Sequence, residues 1–99
     1  MSGNEPRASR TIYTYPFEID DEVSIPMAKG AQILSVQLHR GVPTVCALVS
    51  EVEPLRNRVL QIRGTGRGED AGDVFAASFL ATLLMPSGLV FHVFDGGER

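Results

Sequence analysis

The chain has 99 residues, of which 43% are hydrophobic and 21% are charged. This composition is typical of one small globular domain with a single core, and it excludes disorder over most of the length. Nine basic and twelve acidic residues give a net charge of -3, which argues against binding to an extended nucleic acid because that function needs a clustered basic face.

The cysteine count and the apolar runs indicate the compartment. Cys46 is the single cysteine, so an intrachain disulfide cannot form and a reducing environment is the natural setting. Neither a signal peptide nor a run of about 18 apolar residues is visible. We therefore expect a cytoplasmic protein that does not enter a membrane.

The first half of the chain predicts strands. Residues 1–10 are small and polar and predict a flexible tail, which leaves residues 11–99 as one β domain. Residues 11–19 are rich in β-branched and aromatic side chains, typical of a strand, and Pro16 indicates an edge or a bulge. A short alternating strand is predicted over residues 22–27.

The next two segments predict a hairpin around the turn at residues 40–43. In the first of them, residues 31–38, strict alternation would place Leu34, Val36 and Leu38 on the core face. Residues 44–49 are apolar almost throughout, a pattern typical of a strand that is covered on both faces. A further half-buried strand is predicted over residues 58–63.

The C-terminal part admits two interpretations. Apolar residues recur at four-residue spacing from Phe75 to Leu83, which is typical of a helix. However, the turn residues 86–88 lie between two apolar runs, which favours a hairpin over residues 79–94. We predict the hairpin, with at most one short helical turn between Val74 and Ser78. The result is an all-β fold of about seven short antiparallel strands in a small sandwich or barrel.

Several segments resemble a family of short uncharacterised proteins from bacteriophages and bacterial genomes. They lie in collinear order and cover most of residues 11–95: Tyr13-Thr14-Tyr15-Pro16, Met27-Ala28-Lys29-Gly30-Ala31, Ile33-Leu34-Ser35-Val36-Gln37, Gly41-Val42-Pro43, Ala47-Leu48-Val49, Gly64-Thr65-Gly66 and Leu89-Val90-Phe91-His92-Val93-Phe94. The resemblance implies a C-terminal β-hairpin and a phage setting. Cys46 stands where similar sequences usually have tryptophan, and Arg67 where histidine is common, so no role of those side chains is carried over.

The glycine-rich loop after the strand at residues 58–63 is the predicted ligand site. Gly64, Thr65 and Gly66, with Arg63 and Arg67 on either side, could present backbone N–H groups and positive charge to a small anion. The alternative is a turn that simply requires glycine, because the lysine and hydroxyl of a P-loop are absent.

Other polar residues have simpler explanations. His92 is expected to be held by a hydrogen bond or exposed on an outer sheet face, and His39 to be exposed at a turn. Cys46 is interpreted as a small core residue, and the acidic residues 20–22 as a solvated loop. We therefore predict no catalytic residues, no metal site and no cofactor.

Two functions follow from these expectations. The first is a non-enzymatic, homo-oligomeric binding protein, by analogy with small phage proteins that oppose bacterial defence by binding a host protein or sequestering a small anionic nucleotide. The alternative is a structural or accessory assembly protein without a small-molecule ligand, which joins its partners through exposed strand edges.

Overall fold

The computed structural model describes residues 9–66 and 78–99, and these residues form seven strands. The strands are β1 (Arg10–Pro16), β2 (Glu22–Ala28), β3 (Gln32–His39), β4 (Val42–Ser50), β5 (Leu55–Gly64), β6 (Ser78–Leu84) and β7 (Val90–Glu98). Within these ranges, none of the chain forms a helix that is long and apolar enough to cross a membrane.

The strands build two antiparallel sheets that pack as a sandwich. One sheet has three strands in the order β1-β4-β3, and the other has four in the order β2-β5-β7-β6. The prediction of an all-β fold with about seven antiparallel strands is therefore confirmed, and the architecture is a sandwich, not a closed barrel. Ser78 begins β6, whereas the remainder of the predicted helical turn at residues 74–77 lies outside the described residues.

The core lies between the two sheets and is built mainly from their central strands. Val45, Ala47 and Val49 alternate along β4 and are at most 1% exposed. Leu60 on β5 and Val93 on β7 are fully buried opposite them. The alternation arises because successive side chains of a strand point to opposite faces. Only one face of β4 is fully buried, since Cys46 and Leu48 on its other face are partly exposed.

A bulge in β3 changes the predicted core face. The pairing with β4 slips between Ile33 and Ser35, so Leu34 leaves the alternation and is 46% exposed. Ile33 packs against the core in its place, together with Val36 and Leu38. The prediction for Leu34 was wrong because a bulge inserts one unpaired residue and reverses the faces beyond it.

The β3–β4 hairpin closes through a two-residue turn. Arg40 and Gly41 have φ angles of 53° and 81°, and both lie between the paired ends His39 and Val42. Two consecutive positive φ values are typical of the type I′ turn, whose twist matches that of the flanking strands.

An ion pair joins β5 to β7 at one end of the sandwich. Arg58 donates to Asp95 through Nε (3.0 Å, Oδ1) and Nη2 (2.7 Å, Oδ2), and its Nη1 donates to the carbonyl of Ala31 (2.7 Å). The hydrogen bonds from Arg58 lower the pKa of the Asp95 carboxyl. The contact anchors the loop between β2 and β3 to the four-stranded sheet.

Candidate functional site

The predicted glycine loop begins where β5 ends. The backbone N–H of Thr65 donates to the carbonyl of Val90 (3.1 Å), so this group is used within the protein. Gly66 has a φ angle of 89°, a conformation that glycine adopts without a steric cost. Arg67 lies outside the described residues, and its contribution to a ligand site stays a prediction.

The side chain of Thr65 joins a chain of hydrogen bonds on the outer face of the four-stranded sheet. Its Oγ1 lies 2.8 Å from Nε2 of His92, and Oγ1 of Thr82 lies 3.1 Å from Nδ1 of the same ring. The arrangement follows from the strand register, because His92 on β7 pairs directly with Thr82 on β6. The expectation that His92 is held by hydrogen bonds is therefore confirmed.

One of the two threonine hydroxyls bound to His92 can still donate a hydrogen bond to another acceptor. A neutral imidazole has one N–H donor and one acceptor nitrogen. One threonine therefore donates to the ring while the other accepts from it, and the hydroxyl proton of the accepting threonine remains free. When the proton is on Nε2, that free donor is Thr65.

Arg63 lies beside His92 on the same outer face of the sheet. It pairs with His92 from the neighbouring strand, and directly paired residues face the same side. Its Nη1 donates to the carbonyls of Asp21 (3.1 Å) and Ile62 (2.9 Å). Among the described residues Nη2 makes no hydrogen bond, so the guanidinium group is held in place and still has donors to offer. We call Arg63, Thr65, His92 and Thr82 the polar row.

An aromatic pair lies next to the polar row on the same face. Phe94 on β7 pairs with Phe79 on β6, and their rings meet edge to face with centroids 5.7 Å apart and an interplanar angle of 72°. Phe79 is 59% exposed. Since the two phenylalanines lie about two residues from the polar row along their strands, roughly 7 Å separates the two groups.

A cavity of about 470 Å³ adjoins the polar row at Thr65. Thr65 and Gly64 lie at the end of β5 and line it from one side, while Leu89 lines it from the turn before β7 and Val90 and Phe91 from the start of β7. The predicted loop thus forms one wall of a depression between strand ends, next to the hydroxyl that is hydrogen-bonded to His92.

Sequence reasoning identified part of this arrangement. The sequence predicts Gly64, Thr65 and Arg63, and the structure brings Arg63 and Thr65 beside His92, for which the sequence indicates only a structural role. Thr82 and Phe79 are not among the residues that the sequence predicts. The signal for them lies in the β6–β7 hairpin, because pairing around a turn at residues 86–88 places these two residues opposite His92 and Phe94.

The other candidates remain apart from the polar row. His39 and Cys46 line a separate cavity of about 240 Å³ with residues of β1, β3 and β4. The acidic residues 20–22 are exposed. In the part of the chain that the structure describes, no group of three His, Cys, Asp or Glu side chains is arranged to hold a metal ion.

Comparisons with known proteins place the chain in a family. No curated protein and no solved structure matches it. A family model described as a domain of unknown function (DUF7352) matches residues 8–99. The match spans nearly the whole chain, and the protein therefore belongs to this family.

Proposed function

We propose that this protein is a non-enzymatic binding protein whose ligand is a small anionic nucleotide. The observation that carries the proposal is the adjacency of the polar row and the Phe79–Phe94 pair on one sheet face. Arg63 offers charge and hydrogen-bond donors suited to phosphate. An exposed phenylalanine offers a surface on which a nucleobase stacks, as on other β-sheet platforms.

The spacing of the two groups fits one ligand. Roughly 7 Å along the strands separates Phe94 from the level of His92 and Arg63, which is comparable to the distance from a nucleobase to its 5′-phosphate. Thr65 lies one same-face position beyond Arg63, roughly 13 Å from the level of Phe94. A phosphate oxygen that reached Thr65 from Arg63 would accept its hydroxyl proton and favour the His92 tautomer that carries its proton on Nε2. The hydrogen-bonded chain would then run from Thr82 through His92 to the ligand.

The biological setting implied by the family resemblance belongs to the same proposal. A phage-encoded protein of this kind would oppose bacterial defence by sequestering a signalling nucleotide or by binding a host protein. The net charge of -3 favours a compact ligand over a polymer, because an extended nucleic acid would meet repulsion away from the local basic site.

Calorimetric titration with AMP, adenosine and inorganic phosphate tests the proposal. We expect AMP to bind more tightly than adenosine or phosphate, because only AMP engages both groups. Phe79→Leu should weaken AMP binding by about 1–3 kcal/mol, the usual cost of losing one stacked base. Thr82→Val should also weaken it, whereas Thr14→Val, an exposed threonine on the three-stranded sheet, should leave it unchanged. Equal binding of AMP by the Phe79→Leu variant and the wild type would contradict the proposal.

A second candidate function is assembly through strand edges. β1 and β2 are edge strands of their sheets, and exposed edges pair readily with another chain. Ile12 on β1 is 58% exposed, which adds an apolar contact at that edge. This role would need no small-molecule ligand, so the AMP titration separates it from the first.

A further inference from the structure

A cleft of about 320 Å³ opens between the edge strands β1 and β2, away from the polar row. Tyr13 and Tyr15 line it from β1, Met27 and Val49 contribute to its apolar floor, and Glu51 and Glu53 lie along its rim. The cleft exists because the two sheets are not hydrogen-bonded to each other along this side. Its volume is at the lower end of the range for small-molecule sites.

The aromatic lining comes from the inward face of an edge strand. Tyr13 and Tyr15 pair with the buried residues Ala47 and Val45, so both rings point between the sheets. The rings lie 6.4 Å apart at 73°, and Tyr13 remains 41% exposed. At least part of one aromatic ring is therefore accessible from the cleft.

The rim carries negative charge that forms no ion pair within the described residues, although Arg10 and Lys29 line a neighbouring cavity together with Glu53. The hydroxyl of Tyr13 donates a hydrogen bond to Glu51, and that of Thr11 also lies within 3.5 Å of its carboxylate. The ion pairs of the described residues involve Arg58, Arg99 and their acidic partners, not Glu51 or Glu53. Glu51 is thus a fixed carboxylate beside an aromatic ring.

Tyr13 is neutral at physiological pH, because an ordinary tyrosine loses its proton only near pH 10. The hydrogen bond to Glu51 is the main cause that raises the pKa of this phenol further, and the negative charge of Glu51 acts in the same direction. The face of the neutral ring has the negative quadrupole that attracts cations.

We propose that this cleft binds an organic cation, an alkylammonium or guanidinium group, between the tyrosine rings and the carboxylates of Glu51 and Glu53. Aromatic faces attract such cations, and carboxylates complete their neutralisation. A metal ion fits less well because the floor is apolar. The group could belong to a free small molecule or to a lysine or arginine side chain of another protein, and both sources share this chemistry.

The chain contains its own reporter for this site. It has two tyrosines and no tryptophan, so its intrinsic emission comes mainly from Tyr13 and Tyr15, both in the cleft. We would titrate the full chain with choline, as a free cation, and with N-acetyl-lysine amide and N-acetyl-arginine amide, as side-chain mimics. The neutral isostere of choline, 3,3-dimethylbutanol, serves as the uncharged control.

We expect a saturable change in tyrosine emission with choline or a side-chain mimic and a much weaker response to 3,3-dimethylbutanol. Glu51→Gln keeps an acceptor for the Tyr13 hydroxyl but removes the charge, and should weaken cation binding about fivefold, as expected for one partly exposed charge pair. Glu18→Gln, which removes an exposed carboxylate that does not line the cleft, should leave the affinity unchanged.

Three results would overturn the inference: no saturable response to any of the cations, an equal response to the neutral isostere, or unchanged affinity in Glu51→Gln. Tyr13→Phe gives an independent measurement. It keeps the ring but loses the hydroxyl, so binding followed by calorimetry should persist in this variant. Complete loss of binding in a folded Tyr13→Phe protein would contradict the role assigned to the ring face.

Discussion

At the scale of single residues, Arg40 has a left-handed backbone conformation that is unfavourable for an ordinary side chain. It is the one non-glycine residue with positive φ among the described residues. A left-handed conformation costs an ordinary L-residue about 1–2 kcal/mol, whereas asparagine tolerates it through local hydrogen bonds. Asn-Gly is also the favoured pair for a type I′ turn.

Arg40→Asn should therefore stabilise the protein by about 1 kcal/mol and raise its melting temperature by about 4–8 °C. Thermal unfolding followed by circular dichroism measures the change. Arg40→Ala is the matched control, because it removes the same charge while keeping the strained conformation. Equal melting temperatures for the Asn and Ala variants would show that the gain does not come from the backbone.

At the scale of strands, the alternation of apolar residues and the turn residues predict most of the strands. What they do not predict is the register of the pairing, meaning which residues of two strands lie opposite each other. The hairpin over residues 79–94 follows from local patterns, but the exposure of Leu34 does not, since a bulge leaves no mark in composition. The contact of Thr65 with His92 also depends on the pairing of β5 with β7. That pairing joins strands separated by β6 and its connection, so local sequence carries no signal for it.

The β5–β7 ion pair makes stability depend on acid pH. The pKa of Asp95 is lowered below its ordinary 3.8 by the hydrogen bonds from Arg58, so the carboxylate stabilises the fold above that value. This contribution is lost as pH falls through the lowered pKa. The side chains of Arg58 and Asp95 are 13% and 17% exposed, which reduces the effect below that of a fully buried pair.

Asp95→Asn should cost roughly 2 kcal/mol at neutral pH, less than the 3–5 kcal/mol of a fully buried pair. Denaturant unfolding across pH should show the stabilities of the variant and the wild type starting to converge below about pH 3.8, where Asp95 of the unfolded chain becomes protonated, and meeting only below the lowered pKa of the folded state. Glu22→Gln is the control, because it breaks an ion pair at the surface. The side chains of Arg99 and Glu22 in that pair are 59% and 50% exposed. That change should stay within about 0.5 kcal/mol. A stability difference that persists unchanged in acid would contradict the assignment.

At the scale of the whole molecule, the two proposed sites occupy different surfaces. The polar row lies on the outer face of the four-stranded sheet, whereas the tyrosine cleft lies between the sheets beside β1. Because the sites share no residue, AMP and choline should bind independently. The edge of β1, which borders the cleft, is the surface through which we expect the chain to self-associate.

Native mass spectrometry and light scattering test that expectation. We expect a defined homo-oligomer that dissociates in Ile12→Asp, because a charge on the exposed apolar side chain of an edge strand opposes strand pairing. Val52→Asp, at a site 72% exposed and outside any strand, should keep the wild-type mass. A wild-type monomer would contradict assembly but leave the nucleotide proposal intact, since every residue of the polar row comes from one chain. If the wild type is an oligomer, AMP binding by the Ile12→Asp monomer would show that the site is complete within a single subunit.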